Sequence, residues 1–216
     1  MRVARLEQQL HQVLPDARLQ LTALPGLEQL RLWLLDPQNL QRAFSSEETR
    51  LLLERPPYWG FCWGSGLALA RWVLQHPQQV RGKRVLDFGS GSGVVAIACA
   101  LAGAACSIAC DLDPPALLAC ALNAEANGVS LALSDDYFRV DGDLDLLIAA
   151  DVLYDRDNHP LLEHFLQRAD RVLLADSRVR DLQHPGLQRL QTLAGQTWPD
   201  LGEPLAFREV ALYGGV

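Results

Sequence analysis

The segment V-L-D-F-G-S-G-S-G-V-V, starting at Val85, restricts the possible folds more than any other part of the chain. A short apolar run, Arg84–Phe88, predicts a buried strand. Gly89, Gly91 and Gly93 then alternate, and the alanine-rich stretch Ser92–Ala102 predicts a helix. Glycine lets the backbone turn tightly between strand and helix, and it leaves no Cβ in the way of a ligand. A second buried strand, Ala105–Cys110, ends at Asp111, twenty-two residues after Gly89. A carboxylate at that strand end accepts hydrogen bonds from a ribose diol, so the pair of features points to an adenosine ligand. Dinucleotide proteins space their glycines G-x-G-x-x-G, which needs glycine at position 94, where this chain has Val94. Asp87 lies two residues before the first glycine. An acid there repels a pyrophosphate but accepts hydrogen bonds from an amino-acid ammonium group. S-adenosylmethionine carries such a group and NAD does not, so the spacing favours a methyl donor.

Strand and helix patterns alternate onwards from about residue 60. Helices are predicted over 66–76, 114–127 (opened by Pro114-Pro115 and stopped by Gly128), 160–168 and 187–194. Strands are predicted over 129–133, 144–150, 171–175 and 205–213. This order implies an α/β fold with a doubly wound, mostly parallel sheet, in which ligands bind at the carboxyl ends of the strands. Residues 1–57 read differently. A helix runs to Pro15, a weak strand covers 17–23, Pro25-Gly26 turns the chain, and Leu30–Leu35 is apolar. Ser46 then caps a helix that Pro56-Pro57 stops. Two units are expected: an N-terminal extension over 1–57, acting as packing or as a lid, and a core domain over 58–216.

At 216 residues the chain accommodates one α/β domain and a short extension. Its net charge, 19 − 26 = −7, argues against a broad nucleic-acid footprint and against an anionic membrane surface. No apolar run reaches the ~18–20 residues of a membrane helix, and charges within MRVARLEQQLHQVL exclude a signal peptide. Cys62, Cys99, Cys106, Cys110 and Cys120 form no CxxC pair and sit in apolar surroundings. They read as buried reduced thiols of a cytoplasmic protein rather than disulfides or zinc ligands. The five histidines lack metal-ligand spacing. Only His159 lies near the expected site.

D-F-G-S-G-S-G together with Asp111 resembles the class I, seven-β-strand S-adenosylmethionine-dependent methyltransferases. PPYWGFCWGSG (Pro56–Gly66), RGKRVLDFGSGSG and DVLY (Asp151–Tyr154) resemble, within them, the electron transfer flavoprotein β-subunit lysine methyltransferases. The resemblance covers roughly residues 55–180. It implies a seven-stranded Rossmann-like sheet, S-adenosyl-L-methionine as donor and S-adenosyl-L-homocysteine as product. It also implies a lysine-bearing protein substrate, such as the electron transfer flavoprotein β subunit. Donor contacts would come from Trp59, Trp63, Asp87, Gly89, Ser90, Gly91, Gly93, Asp111, Leu112 and Ala150, and from Asp136 or Asp135 at the adenine edge beside Tyr137. Asp151 and Tyr154 would carry the transfer chemistry.

Related enzymes acting on planar amides place asparagine where Asp151 stands, because asparagine offers one donor and one acceptor. A carboxylate only accepts and favours a cation, which points to an amine such as lysine. Asp151 is therefore expected to bind and orient the substrate, and Tyr154 to wall the channel. Between Asp135 and Asp157 there are eight acids and two bases, a charge pattern able to steer a basic protein segment. Two other readings stay open. One is a methyltransferase for a small amine or heterocycle, lidded by residues 1–57. The other is a donor-binding interaction module without catalysis.

Overall fold

A computed structural model describes residues 2–215. The N-terminal part holds α1 (Arg2–Leu10), β1 (Leu19–Leu24), β2 (Leu27–Leu35) and α2 (Ser46–Glu54). The core follows with α3 (Gly64–Gln75), β3 (Arg84–Phe88), α4 (Val94–Leu101), β4 (Cys106–Cys110), α5 (Pro114–Ala126), β5 (Ala132–Ser134) and β6 (Leu146–Ala150). It ends with α6 (Leu161–Arg168), β7 (Val172–Asp176), β8 (Gln188–Ala194) and β9 (Glu209–Gly215).

Seven strands form one sheet in the order β5-β4-β3-β6-β7-β9-β8. The first five are parallel, and β9 runs antiparallel between β7 and β8. Alternate side chains of the central strands enter opposite layers, as the two-residue period of a strand requires. Val85, Leu146, Ile148, Leu173 and Leu212 pack with α3 and α4 on one face. Leu86, Leu147, Leu174 and Tyr213 pack with Leu162 and Phe165 of α6 on the other. Asp87 has the parity of Val85, so its carboxylate is directed at α4.

The N-terminal segment packs on α5. Pro25-Gly26 joins β1 to β2 in an antiparallel hairpin, with Gly26 at φ +69° as the turn requires. Leu6, Leu10, Leu19 and Leu35 bury against Ala116, Ala119 and Leu122 of α5. The free edge of β2 is satisfied by side chains. Asn123 Oδ1 accepts from Trp33 N at 2.7 Å, and Asn127 Oδ1 accepts from Arg31 N at 3.0 Å while its Nδ2 donates to Arg31 O. Four helical residues rise about 6 Å and two strand residues about 6.6 Å, so asparagines four apart match alternate N–H groups of a strand. None of residues 2–57 lines the large cleft described below.

Three expectations are corrected. Residues 187–194 form a strand, not a helix. Leu187, Leu190 and Leu193 have helical spacing, but the segment pairs along one side with β9, with a break in register between Arg189 and Gln191. The cap of α2 is Ser45 rather than Ser46: its Oγ accepts from Glu48 N, and Glu48 Oε2 accepts from Ser45 N, a reciprocal box. The expected strand over 205–213 begins as a 3-10 turn at Leu205–Arg208, after Pro204, and becomes β9 only at Glu209. Other elements match their expected type with shifted ends: the third core strand is Ala132–Ser134, and α3 starts at Gly64 rather than Gly66.

Asn123 is fully buried, and its Nδ2 also donates to Ser92 O at 2.8 Å. Exchange Asn123→Ala leaves a buried donor and a buried acceptor unpaired, at a cost of about 2–4 kcal/mol. Thermal melting should fall by roughly 5–15 °C for a chain of this size. Asn127→Ala, nearer the solvent, should cost clearly less; equal losses would refute this account of the packing.

Candidate active site

A cleft of about 460 Å³ opens at the carboxyl ends of β3, β4, β6 and β7. Its floor is the glycine loop. Gly89 has φ +68°, and a Cβ there would stand 2.8 Å from Val152 Cγ1, so only glycine lets the loops after β3 and β6 meet. Gly91 also faces the cleft. Gly93, at φ +80°, lies under α5, where a Cβ would come within 3.0 Å of Cys120 Sγ.

Carboxylates fix the loops around this floor. Asp87 Oδ2 accepts from Ala96 N, in the first turn of α4, at 3.0 Å. Asp111 Oδ2 accepts from Gly91 N at 2.8 Å and its Oδ1 from Asp113 N at 3.0 Å. Asp176, 1% exposed, accepts from Leu153 N, Arg178 N and Val179 N. Asp151 takes φ +52°, an uncommon backbone state for a residue with a side chain. Its Oδ2 accepts from Ser65 N at 2.9 Å; its Oδ1 accepts from Ser65 Oγ at 2.5 Å and from Ser177 Oγ at 3.0 Å. Burial raises the pKa of Asp111 and of Asp176, and pushes Asp87 up to about 7.

Aromatic side chains form the rim. The Tyr58 ring lies 5.7 Å from Trp63 and 5.7 Å from Tyr154. Trp63 Nε1 donates to Tyr58 O at 2.9 Å, and Cys62 pairs with Trp198 through both backbone groups, which anchors this segment to the loop before β9. Trp59, 3% exposed, reaches the cleft from the N-terminal core cluster. Tyr154 is half exposed, yet its phenol is pushed up to about 12 by desolvation and then by Tyr58 and Asp155. Leu112 is 82% exposed and Phe138 65%, both on the cleft wall. Apolar surface presented this openly inside a concavity suits a flat ligand laid across it.

The structure brings Trp59, Trp63, Gly89, Gly91, Asp111, Leu112, Asp136, Ala150, Asp151 and Tyr154 together on this cleft. It does not bring Asp87, Ser90 or Gly93 onto the lining. Asp87 is turned beneath the loop towards α4, and Ser90 Oγ points inward to Cys120 Sγ at 3.4 Å. Asp136 lines the cleft and Asp135 does not. Tyr137 also lines the cleft, but its ring packs against Phe88 and Phe165 and is nearly buried, so the exposed aromatic face of that loop is Phe138. His159 hydrogen-bonds Leu153 O at 2.9 Å and does not line the cleft. Sequence reasoning missed Tyr58, Phe138, Ser65, Ser177, Arg178 and Glu203. Tyr58 sat in the aromatic segment already singled out, and Phe138 next to Tyr137. The serines carried no local signal.

The Asp87 shift has a pH consequence. The folded chain holds this proton up to about pH 7, whereas the unfolded chain releases it near pH 4. The native state therefore binds more protons between these values, and this group's contribution to stability falls as pH rises through that window. Exchange Asp87→Asn should flatten the decline in melting temperature between pH 4.5 and pH 8. An unchanged slope would show that Asp87 is already ionised in the folded chain.

A family model described as ribosomal protein L11 methyltransferase (PrmA) matches residues 69–155. An electron transfer flavoprotein beta subunit lysine methyltransferase of Xenopus laevis is 36% identical over 188 residues, which cover 83% of this chain and 75% of that protein. The protein of the same description from Rattus norvegicus is 37% identical over 153 residues, covering 67% of this chain and 60% of its own length. Among solved structures, magnesium protoporphyrin IX methyltransferase from Synechocystis PCC 6803 with bound SAM has a TM-score of 0.54 at 18% identity, covering 82% of this chain and 86% of that one, a likeness of fold. The order of the sheet, the glycine loop at its centre and the extent of these matches agree: the chain belongs to the electron transfer flavoprotein beta subunit lysine methyltransferase family.

Proposed function

We propose that this chain is an S-adenosylmethionine-dependent N-methyltransferase acting on lysine side chains of a protein, with the electron transfer flavoprotein β subunit as the substrate its relatives' names suggest. The observation that carries the reading is Asp151, an acceptor-only side chain fixed at the end of β6 and facing the cleft. Such a group favours a cationic amine over a neutral amide.

The cleft fits the donor. Gly89 and Gly91 admit it close to the backbone, Asp111 keeps lone pairs free for a ribose diol, and Leu112, Asp136 and Phe138 suit an adenine. Trp59, Trp63 and Ala150 complete the walls. When bound, S-adenosylmethionine supplies a methyl already activated on a sulfonium, so the protein's task is to position the nucleophile. Asp151 receives the lysine ammonium, and Tyr58 and Tyr154 flank its route. The amine must lose a proton from a group of pKa ~10.4 before it can attack. A fixed anion holds that proton on rather than taking it, so it leaves to water.

The acidic run 135–157 beside the mouth supports a basic protein partner over nucleic acid or an anionic membrane. Residues 2–57 stand away from the cleft, which favours an open site for a protein over a lidded one for a small molecule. Five free cysteines support a cytoplasmic setting.

Methyl-labelled donor, the purified enzyme and the electron transfer flavoprotein β subunit test this together. Label should appear on lysine of that subunit. Asp151→Asn should cut transfer about 10- to 100-fold and leave donor binding, read from the melting shift with S-adenosylhomocysteine, nearly unchanged. Asp111→Ala should do the reverse, weakening the melting shift first. Label confined to small molecules would replace the protein-substrate reading.

A further inference from the structure

Helix α3 begins at Gly64 with Trp63 as its cap residue and no side-chain cap of its own. Its Ser65 is fully buried, and both its backbone N–H and its hydroxyl donate to Asp151: N to Oδ2 at 2.9 Å, Oγ to Oδ1 at 2.5 Å. Ser177, which follows β7, adds Oγ at 3.0 Å and N at 3.4 Å to the same Oδ1. The Asp151 backbone N is held by Ala175 O at 3.0 Å. Three segments therefore converge on one carboxylate: the Trp63 segment, the DVLY loop and the loop after β7. Oδ1 is saturated with donors. Oδ2 has one, and is the oxygen left with capacity for a substrate.

We infer that Ser65, seconded by Ser177, is a positioning residue for methyl transfer, which fixes the Asp151 carboxylate so that a single oxygen meets the substrate amine. This rests on the proposed role of Asp151. The physical grounds are two. Charge-assisted hydrogen bonds to a carboxylate are short and directional, and the start of a twelve-residue helix adds a partial positive charge on the same side. A backbone at φ +52° on a non-glycine residue does not hold itself in place; the serine donors hold it. Without them the carboxylate swings, and the amine loses its alignment with the methyl group.

The test compares wild type, Ser65→Ala, Ser65→Thr, Ser177→Ala, Asp151→Asn and the double variant Ser65→Ala with Asp151→Asn. Each is assayed on whichever acceptor protein wild type labels, so a mistaken acceptor identity does not obscure the ratios. Ser65→Ala should lower kcat about tenfold or more, with donor KM within about twofold, and Ser177→Ala should do so more weakly. Ser65→Thr, which keeps the hydroxyl, should recover most of kcat. The double variant should be no worse than Asp151→Asn alone, because the serine acts through that carboxylate. Unchanged kcat in Ser65→Ala, or additive losses in the double variant, would overturn the assignment. A fall in donor affinity and melting temperature parallel to that of kcat would show a purely structural role and overturn it equally.

Discussion

The cleft depends on a row of aspartates at the ends of four neighbouring parallel strands. Across the sheet they are Asp111 after β4, Asp87 in β3, Asp151 after β6 and Asp176 closing β7. Each accepts backbone N–H groups from a loop or helix start. Helices α3, α4 and α5 all lack a side-chain cap at their own N-cap residue. Asp151 serves α3, Asp87 serves α4, and Asp111 bonds the N–H of Asp113, the residue before α5. A parallel sheet with right-handed crossovers brings helix starts to the same edge as strand ends, so unpaired N–H groups and strand-end side chains meet there. Carboxylates are the strongest neutralisers of that partial positive charge.

The same arrangement gathers negative charge into a half-enclosed space. Burial raises the pKa values of Asp87, Asp111 and Asp176, the direction expected for carboxyl groups short of solvent. A cleft built this way is completed by cations. A sulfonium donor with an ammonium group and a lysine side chain are both positively charged, and both lessen the mutual repulsion when they arrive. Under the proposed function, donor and substrate would both be drawn by carboxylates, Asp111 and Asp151, that also bond backbone N–H groups at helix starts.

How much of this could be read from the sequence follows from how local each signal is. The glycine loop was legible because strand, turn and helix start lie within twelve residues, and Asp111 because a buried strand leads straight to it. The end of α3 nearest the site was not: its cap comes from Asp151, eighty-six residues away, so nothing near Gly64 announced it. Asp87 was legible as a strand residue just before the glycine loop, but its direction depends on strand parity and on α4, and it faces the helix rather than the cleft. Residues 187–194 were misread because three leucines at helical spacing outweighed a polar edge strand whose strand partner, β9, lies further along the chain. Phe138 and Tyr137 differ in role by burial alone, which no local pattern encodes.

The two asparagines of α5 have a consequence for the order in which the chain takes shape. Trp33 finds its partner ninety residues later, in Asn123, and the leucines of α1 bury on the same helix. During synthesis the first hairpin therefore leaves the ribosome with one edge and one apolar face uncovered. At ~5–20 residues per second it waits roughly 5–20 s for α5 to emerge. A segment made well before α5 is then finished only with it, and in that interval a chaperone or a neighbouring nascent chain can compete with α5 for the exposed edge of β2.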